Sequence, residues 1–310
     1  MYTDALPLAV IDLDRIRRNI ADIAARTGVD VLAVVKADGY GCGLLPVARA
    51  VKDLVAGFYV FRPSEAIETN LWRETGLPTV CALPDDHPAD ELIAHHVRPG
   101  VWDVATADRL RPADPLLAID TGQQRFACPE DQIDAVADAG ACREAFTHAS
   151  TAQQVDRFDR LTAGRGWRRH AAGTALLHLE NARFDAVRPG LAMYRGALRV
   201  TTRLLDARDS RGPAGYSGFQ TPRHGVILGG YSDGLAAGAC LVNGTRRRLL
   251  EVGMQSAFVE LGPADKPGDE VVLIGDGLTE QDVANAWRCS PQEAIYRLAR
   301  CGRKQYTGGA

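Results

Sequence analysis

Short apolar runs alternate with amphipathic stretches through the first two thirds of this chain. That alternation constrains the fold more than any other feature. Residues 31–35, 57–60, 78–83, 97–102, 116–120, 144–148, 174–178 and 186–188 read as strands. Helical spacing appears at 12–26, in a stretch opened by Pro46, and at 63–76, 90–96, 130–139 and 150–161. Strands that are apolar throughout fit a parallel sheet covered on both faces. Eight of them, interleaved with helices in units of about 20–30 residues, predict a (β/α)8 barrel. A doubly wound open sheet shares this periodicity.

After Tyr194 the pattern changes. Strand-like segments at 198–205, 224–228, 249–252, 256–261 and 270–275 follow one another without strong helices. Asn243-Gly244 and Asp276-Gly277 are turn signals between them. The expected organisation is a barrel over 1–195 and a mainly antiparallel β domain over 196–310. The first strand, about 6–12, is able to pair with the second domain. Two helices, 280–287 and 291–301, lead to a polar tail.

Hydrophobic residues make up 46% and charged residues 24% of the 310, ordinary for a soluble globular protein. A net charge of −3 gives no reason to expect nucleic acid or an anionic membrane as partner. Seven cysteines without a C-x-x-C pair argue for free thiols in a reducing compartment. No secretory leader pattern and no membrane-length apolar run is visible. The expected location is the cytoplasm.

The chemistry centres on Lys36. Val31-Leu-Ala-Val-Val35 delivers it to the carboxyl end of a buried strand, where α/β folds place reactive groups. Desolvation there lowers a lysine's pKa and suits it to an imine with an aldehyde cofactor. A strand-end lysine reaching solvent is the plainer reading.

Val35-Lys36-Ala37-Asp38-Gly39-Tyr40-Gly41-Cys42-Gly43 resembles the pyridoxal-phosphate signature of the alanine racemases, V-K-A-N-A-Y-G-H-G. The resemblance implies that Lys36 carries the cofactor and Tyr40 meets its phosphate, with Cys42 standing where a histidine is usual. Four further blocks follow in family order. Asp120-Thr-Gly-Gln-Gln-Arg125 is similar to D-T-G-M-x-R, whose arginine contacts the cofactor's phenolic oxygen and the substrate carboxylate. Ala118 stands at the position of a lysine that orients that arginine in relatives. Thr147-His148-Ala149-Ser150 is similar to H-F-S/A, with a histidine hydrogen-bonded to the next arginine. Val187-Arg188-Pro189-Gly190-Leu191 resembles V-R-P-G-I, implying that Arg188 faces the pyridine nitrogen and the amides after Gly190 hold the phosphate. Gly230-Tyr231-Ser232-Asp233-Gly234 resembles G-Y-A-D-G, whose tyrosine enters the partner subunit's site as second base. Met254, in Gly253-Met254-Gln255, matches a methionine whose amide meets the substrate carboxylate. Leu179-Glu180-Asn181-Ala182 occupies the place of the phosphate-binding N-S-A, shortened so that no residue carries over. Glu251, Gln255 and Gln292 depart from the family's usual residues.

The resemblance therefore implies a pyridoxal-phosphate amino-acid racemase, most closely alanine racemase, acting as a homodimer with shared sites. Lys36 and Tyr231 are the two bases. A decarboxylase of the same fold lacks its glycine-rich phosphate loop and catalytic cysteine here. A catalytically weak cofactor-binding homologue, or a racemase of another small amino acid, is the alternative that Ala118, Glu251, Gln255 and Gln292 keep open.

Overall fold

The computed structural model describes residues 5–309. Strand β1 (Leu8–Asp12) runs directly into a helix, Leu13–Thr27. Asp12 caps that helix by accepting the Arg15 N–H at 2.8 Å. Ile16, Ile20 and Ile23 recur at helical spacing and are buried. Gly28, at φ 66°, ends it.

Eight parallel strands then close into a barrel: β2 (Asp30–Val34), β3 (Gly57–Val60), β4 (Thr79–Cys81), β5 (Val97–Val101), β6 (Leu116–Ala118), β7 (Glu144–Ala149), β8 (Arg168–Ala172) and β9 (Ala186–Val187). Closure pairs Asp30 with Ala186 and Val31 with Val187. Val31–Val35, Phe58, Val60, Val80, Leu116 and Leu117 are buried. Each such side chain contributes roughly 1.5–3 kcal/mol by leaving water.

Three expectations are corrected. The seventh barrel strand is Arg168–Ala172, not 174–178, where Thr174–Leu176 forms a single 3-10 turn. The helix expected to open at Pro46 begins at Leu44, with Pro46 in its first turn. The helix over 63–76 is two, Pro63–Glu68 and Leu71–Thr75, separated at Asn70, whose φ is 51°. A further helix, Val104–Leu110, is capped by the Asp103 side chain.

The remaining strands form a second sheet: β10 (Leu198–Asp209), β11 (Arg223–Leu228), β12 (Gly238–Val242), β13 (Thr245–Val252), β14 (Ser256–Glu260), β15 (Glu270–Ile274) and β16 (Arg303–Thr307). Their order is β11-β14-β13-β12-β15-β10-β1-β16, with β11 also pairing β10. All neighbours are antiparallel except β1 and β16. The polar tail is thus an edge strand, and its residues are exposed throughout. Two compact units result: Ile16–Gly39 with Gly43–Met193, and Met1–Arg15 with Tyr40–Cys42 and Tyr194–Gly308.

Charge is sorted between the two ends of the barrel strands. At the amino ends, Glu144 is buried and takes Arg98 at 2.5 Å, Arg168 at 3.3 Å and His170 at 3.1 Å. Arg168 also reaches Asp30 at 2.7 Å and Arg98 reaches Asp114 at 2.8 Å. Burial works to raise the Glu144 pKa, but His170 and Arg98 outweigh it and bring it to about 2. Burial pushes His170 down to about 4 against the pull of Glu144. Both folded-state values lie below the unfolded ones, so the unfolded chain binds the extra protons and acid favours it. His170 gives up its contribution as pH falls from 6.5 to about 4, and Glu144 between about 4.5 and 2. Urea midpoints are expected to be flat between about pH 7 and 8 and to fall steadily below pH 6. Glu144→Gln removes the buried charge that Arg98 and Arg168 share but leaves them Asp114 and Asp30, and is expected to cost about 1–2 kcal/mol at pH 7. An acid-independent midpoint, or a neutral Glu144→Gln, contradicts this assignment.

Candidate active site

Beyond the carboxyl ends of the strands Arg62 pairs with Asp85 at 2.7 Å, but three cations, Lys36, Arg125 and Arg188, have no carboxylate partner among the described residues. Lys36 follows β2 and is half-buried. Burial, then the positive charges of Arg125 and Arg188, lower its pKa, with Glu65 pulling against them. Among the described residues no carboxylate lies within ion-pair distance of Lys36, Arg125 or Arg188. An amine in such a place holds its lone pair closer to neutral pH than a surface lysine does.

The backbone beyond Lys36 is unusual. Ala37, Asp38, Gly39 and Tyr40 have φ of 54°, 54°, 60° and 56°. A left-handed turn costs about 1–2 kcal/mol per L-residue and persists only where its surroundings impose it. Here Gly39 N–H donates to Val35 O and Gly43 N–H to Asp38 O, both at 2.8 Å. The Asp38 carboxylate takes Leu44 N–H at 2.8 Å. Glu65 accepts Ala37 N–H at 2.5 Å, Phe61 N–H at 2.7 Å and Arg62 N–H at 3.0 Å. One carboxylate therefore joins the turn after Lys36 to the end of β3.

Arg125 lies on the loop after β6, exposed and without a hydrogen bond or ion pair among the described residues. Its loop is nonetheless ordered. Asp120 Oδ1 accepts the N–H groups of Gly122 and Gln124 at 2.8 and 3.0 Å. Phe126 packs 6.0 Å from Phe61 and 5.5 Å from Trp102. With Ala118 buried in β6, nothing on that strand reaches the guanidinium.

His148 opens to the barrel mouth but is ringed by protein. That desolvation, with Arg188, Lys36 and Arg125, brings its pKa to about 4, so the imidazole is neutral at pH 7. The hydrogen bond expected between His148 and Arg188 has no counterpart among the described contacts. Arg188 Nη2 donates instead to the carbonyls of Thr147 and, at 3.4 Å, Ala171. The cause is packing: the guanidinium is drawn inward between the rings of Tyr59 and Phe146. Its Nε–H is buried and unpartnered.

Gly190 and Leu191 are buried just after Arg188. The N–H groups of Gly190 and Ala192 both donate to Thr174 Oγ1, at 3.2 and 3.0 Å. Thr174 follows β8, whose place the sequence pattern does not reveal, so the sequence gives no signal for this residue. Thr174, rather than anything in 179–182, supplies the hydroxyl adjoining the Gly190 amides.

In the other unit, Tyr40 lies 4.8 Å from the ring of Tyr194, and burial raises its hydroxyl to about 12. Tyr231 and Met254, both more than half exposed, are held side by side. Tyr231 N–H donates to Gly253 O at 2.9 Å, and Ser232 N–H to Met254 O at 3.1 Å. A Cβ on Gly230 would lie 2.1 Å from Met254 O, so only glycine permits this approach.

A closed parallel barrel with unpaired cations at its carboxyl mouth, joined in sequence to an antiparallel β unit, defines a class of two-domain barrel enzyme. The chain belongs to the alanine racemase family: the model for the alanine racemase N-terminal domain matches residues 11–197, and that for the C-terminal domain residues 214–306. An alanine racemase of Aeromonas hydrophila is 31% identical, the match covering 94% of this chain and 96% of that protein. The alanine racemase of Streptomyces lavendulae, a D-cycloserine producer, superposes with a TM-score of 0.89 at 26% identity, covering 99% and 98%. The alanine racemase of Bartonella henselae, solved with covalently bound pyridoxal phosphate, gives 0.85 at 22% identity, covering 98% and 100%.

The residues at the barrel mouth fit that cofactor. Lys36 offers an amine with no ion-pair partner. The buried Arg188 Nε–H is a donor awaiting an acceptor such as a pyridine nitrogen. Thr174 Oγ1, which accepts the Gly190 and Ala192 N–H groups, keeps its own O–H to donate to an acceptor such as a phosphate oxygen.

Proposed function

We propose that this protein interconverts L- and D-alanine with pyridoxal phosphate held on Lys36. The observation that carries the reading is the half-buried Lys36 amine, unpaired and flanked by Arg125 and Arg188, at the carboxyl mouth of a family barrel. Arg188 would face the pyridine nitrogen and, unable to give up its own proton, keep that nitrogen unprotonated. Tyr40, the Thr174 hydroxyl and the Leu191 amide, in the turn that Gly190 opens, would hold the phosphate. When bound, the cofactor acidifies the Cα–H of an attached amino acid by delocalising the electron pair left behind.

The protein's own groups then decide where the proton goes. Lys36 Nζ takes or returns it on one face of Cα. Tyr231 of the partner subunit serves the other face through its hydroxyl. Arg125 and the Met254 main-chain N–H would receive the substrate carboxylate, and neutral His148 lies near Lys36. The shared site makes the active species a homodimer. Seven cysteines, none in a disulfide, support a cytoplasmic location. No helix among the described residues is long and apolar enough to cross a membrane.

Borohydride reduction of the cofactor-loaded protein, followed by peptide mapping, tests the attachment. A pyridoxyl group on Lys36 is expected, and one on any other lysine overturns the assignment.

The unheld Arg125 gives a further expectation. Arg125→Ala should raise KM for alanine about tenfold or more, the loss of one charge-assisted hydrogen bond. Ala118→Lys in bicarbonate should lower KM, because a carbamylated lysine supplies the missing anion. Equal effects from Arg125→Ala and the exposed Arg303→Ala contradict the placement.

A further inference from the structure

We infer that Tyr59 and Phe146 are positioning residues that form an aromatic cradle for Arg188, doing the work a carboxylate does for most buried arginines. Arg188 is 4% exposed, yet no Asp or Glu pairs with it among the described residues. Its guanidinium donates to the main-chain carbonyls of Thr147 and Ala171. Its guanidinium carbon sits 4.9 Å from the Tyr59 ring centre and 5.1 Å from that of Phe146. The two rings are 6.2 Å apart and nearly perpendicular, at 80°. Burial raises the Tyr59 hydroxyl although the charge of Arg188 and a side-chain hydrogen bond with it pull the other way, so the phenol stays neutral at pH 7 and adds no carboxylate charge. Negative ring faces thus stabilise the cation from two sides, and the neutral Tyr59 hydroxyl beside it still leaves Nε–H unpartnered.

That distinction matters for the chemistry. A carboxylate would take two guanidinium N–H groups in a fork and neutralise the charge. The cradle leaves the charge intact and Nε–H unpartnered. The cradle is itself braced. Phe146 stacks on the buried His170 at 5.4 Å with the planes 4° apart, and His170 meets Glu144 at 3.1 Å. The ion cluster at the amino end of the barrel strands is therefore linked through two stacked rings to the guanidinium near the carboxyl end.

The inference rests on the proposed role of Arg188 toward the cofactor, but its first test does not. In cofactor-free protein labelled with 15N-arginine, the Arg188 Nε–H signal is expected to be displaced upfield by the rings and to exchange slowly with solvent. Phe146→Leu and Tyr59→Leu should remove the displacement and speed exchange at least tenfold, whereas Tyr59→Phe, which keeps the ring face, should retain both. Loaded with pyridoxal phosphate, the two Leu variants should pass alanine's amino group to the cofactor about tenfold more often per alanine racemised, read as pyruvate with an equal amount of aminated cofactor, because a loosened arginine no longer keeps the ring nitrogen unprotonated. Thermal unfolding of each variant separates a lost cradle from a lost fold. If Phe146→Leu melts near room temperature, the Tyr59 pair alone decides. An unchanged Nε–H signal in Tyr59→Leu overturns the cradle. A changed signal with an unchanged pyruvate ratio confines the cradle to structure and overturns its role in positioning. A wild-type protein that does not racemise alanine counts against the proposed function and leaves the Nε–H result to judge the cradle alone.

Discussion

Lys36→Ala is expected to remove racemisation in both directions, leaving less than about 10⁻⁴ of the wild-type rate. Two functions go with one side chain: the covalent hold on the cofactor and a positioned base. Loss of either alone costs about 10²–10⁴-fold. The fold should survive. Lys36 is half-buried and without an ion-pair partner, so truncation strands no buried charge, and the unfolding free energy should move by less than about 1 kcal/mol. Initial rates from L- and from D-alanine, alongside a urea titration, check both halves. More than a hundredth of the activity persisting in the variant would mean that another lysine carries the reaction.

The second large effect is expected at Tyr231. Tyr231→Phe removes only the hydroxyl, and the backbone contacts that place the residue, from Tyr231 N–H to Gly253 O and Ser232 N–H to Met254 O, are untouched. Turnover should fall by about 10²–10⁴-fold. The fall must be equal in both directions, since the equilibrium constant between enantiomers is one. Proton washout should not be equal. Exchange at Cα of D-alanine through Lys36 should persist, while that of L-alanine collapses. Because the tyrosine is assigned to the partner subunit, mixing Lys36→Ala and Tyr231→Phe protomers should restore one working site per heterodimer. Symmetric washout, or no recovery on mixing, places the second base elsewhere.

Most of the barrel is legible in the sequence because buried parallel strands are apolar on both faces. The strand it hides, Arg168–Ala172, is the one whose polar residues find partners only in three dimensions. Arg168 pairs with Asp30 and Glu144, Arg169 with Asp159, and His170 with Glu144. Asp30 and Glu144 lie 138 and 24 residues from Arg168, so Arg-Arg-His reads as loop, and the neighbouring Thr-Ala-Leu-Leu-His reads as strand. Thr174 is lost with it. The tail strand Arg303–Thr307 is invisible for a related reason: both its faces are exposed, so it has no apolar alternation and is fixed by pairing with Leu8–Asp12.

At the mouth of the barrel, sequence names Lys36, Arg125, His148 and Arg188 but not how they are held. The clamp of Glu65 on Ala37 spans 28 residues. The left-handed run 37–40 contains three residues with side chains that ordinarily avoid it. The enclosure of Arg188 by Tyr59 and Phe146 brings together residues of β3 and β7 and the residue after β9. Sequence motifs record which groups meet the ligand. Distances between strands decide what those groups are able to do.

The central claim is that this protein moves the Cα proton of alanine across both faces. The most direct measurement is 1H NMR in D2O of L-alanine and, separately, D-alanine with the pyridoxal-phosphate-loaded protein, with chiral separation of the products. The Cα–H signal is expected to disappear from either starting enantiomer, and both samples to converge on equal amounts of the two, each deuterated at Cα. A pyridoxyl adduct trapped on Lys36 with no deuterium entering either enantiomer would contradict it.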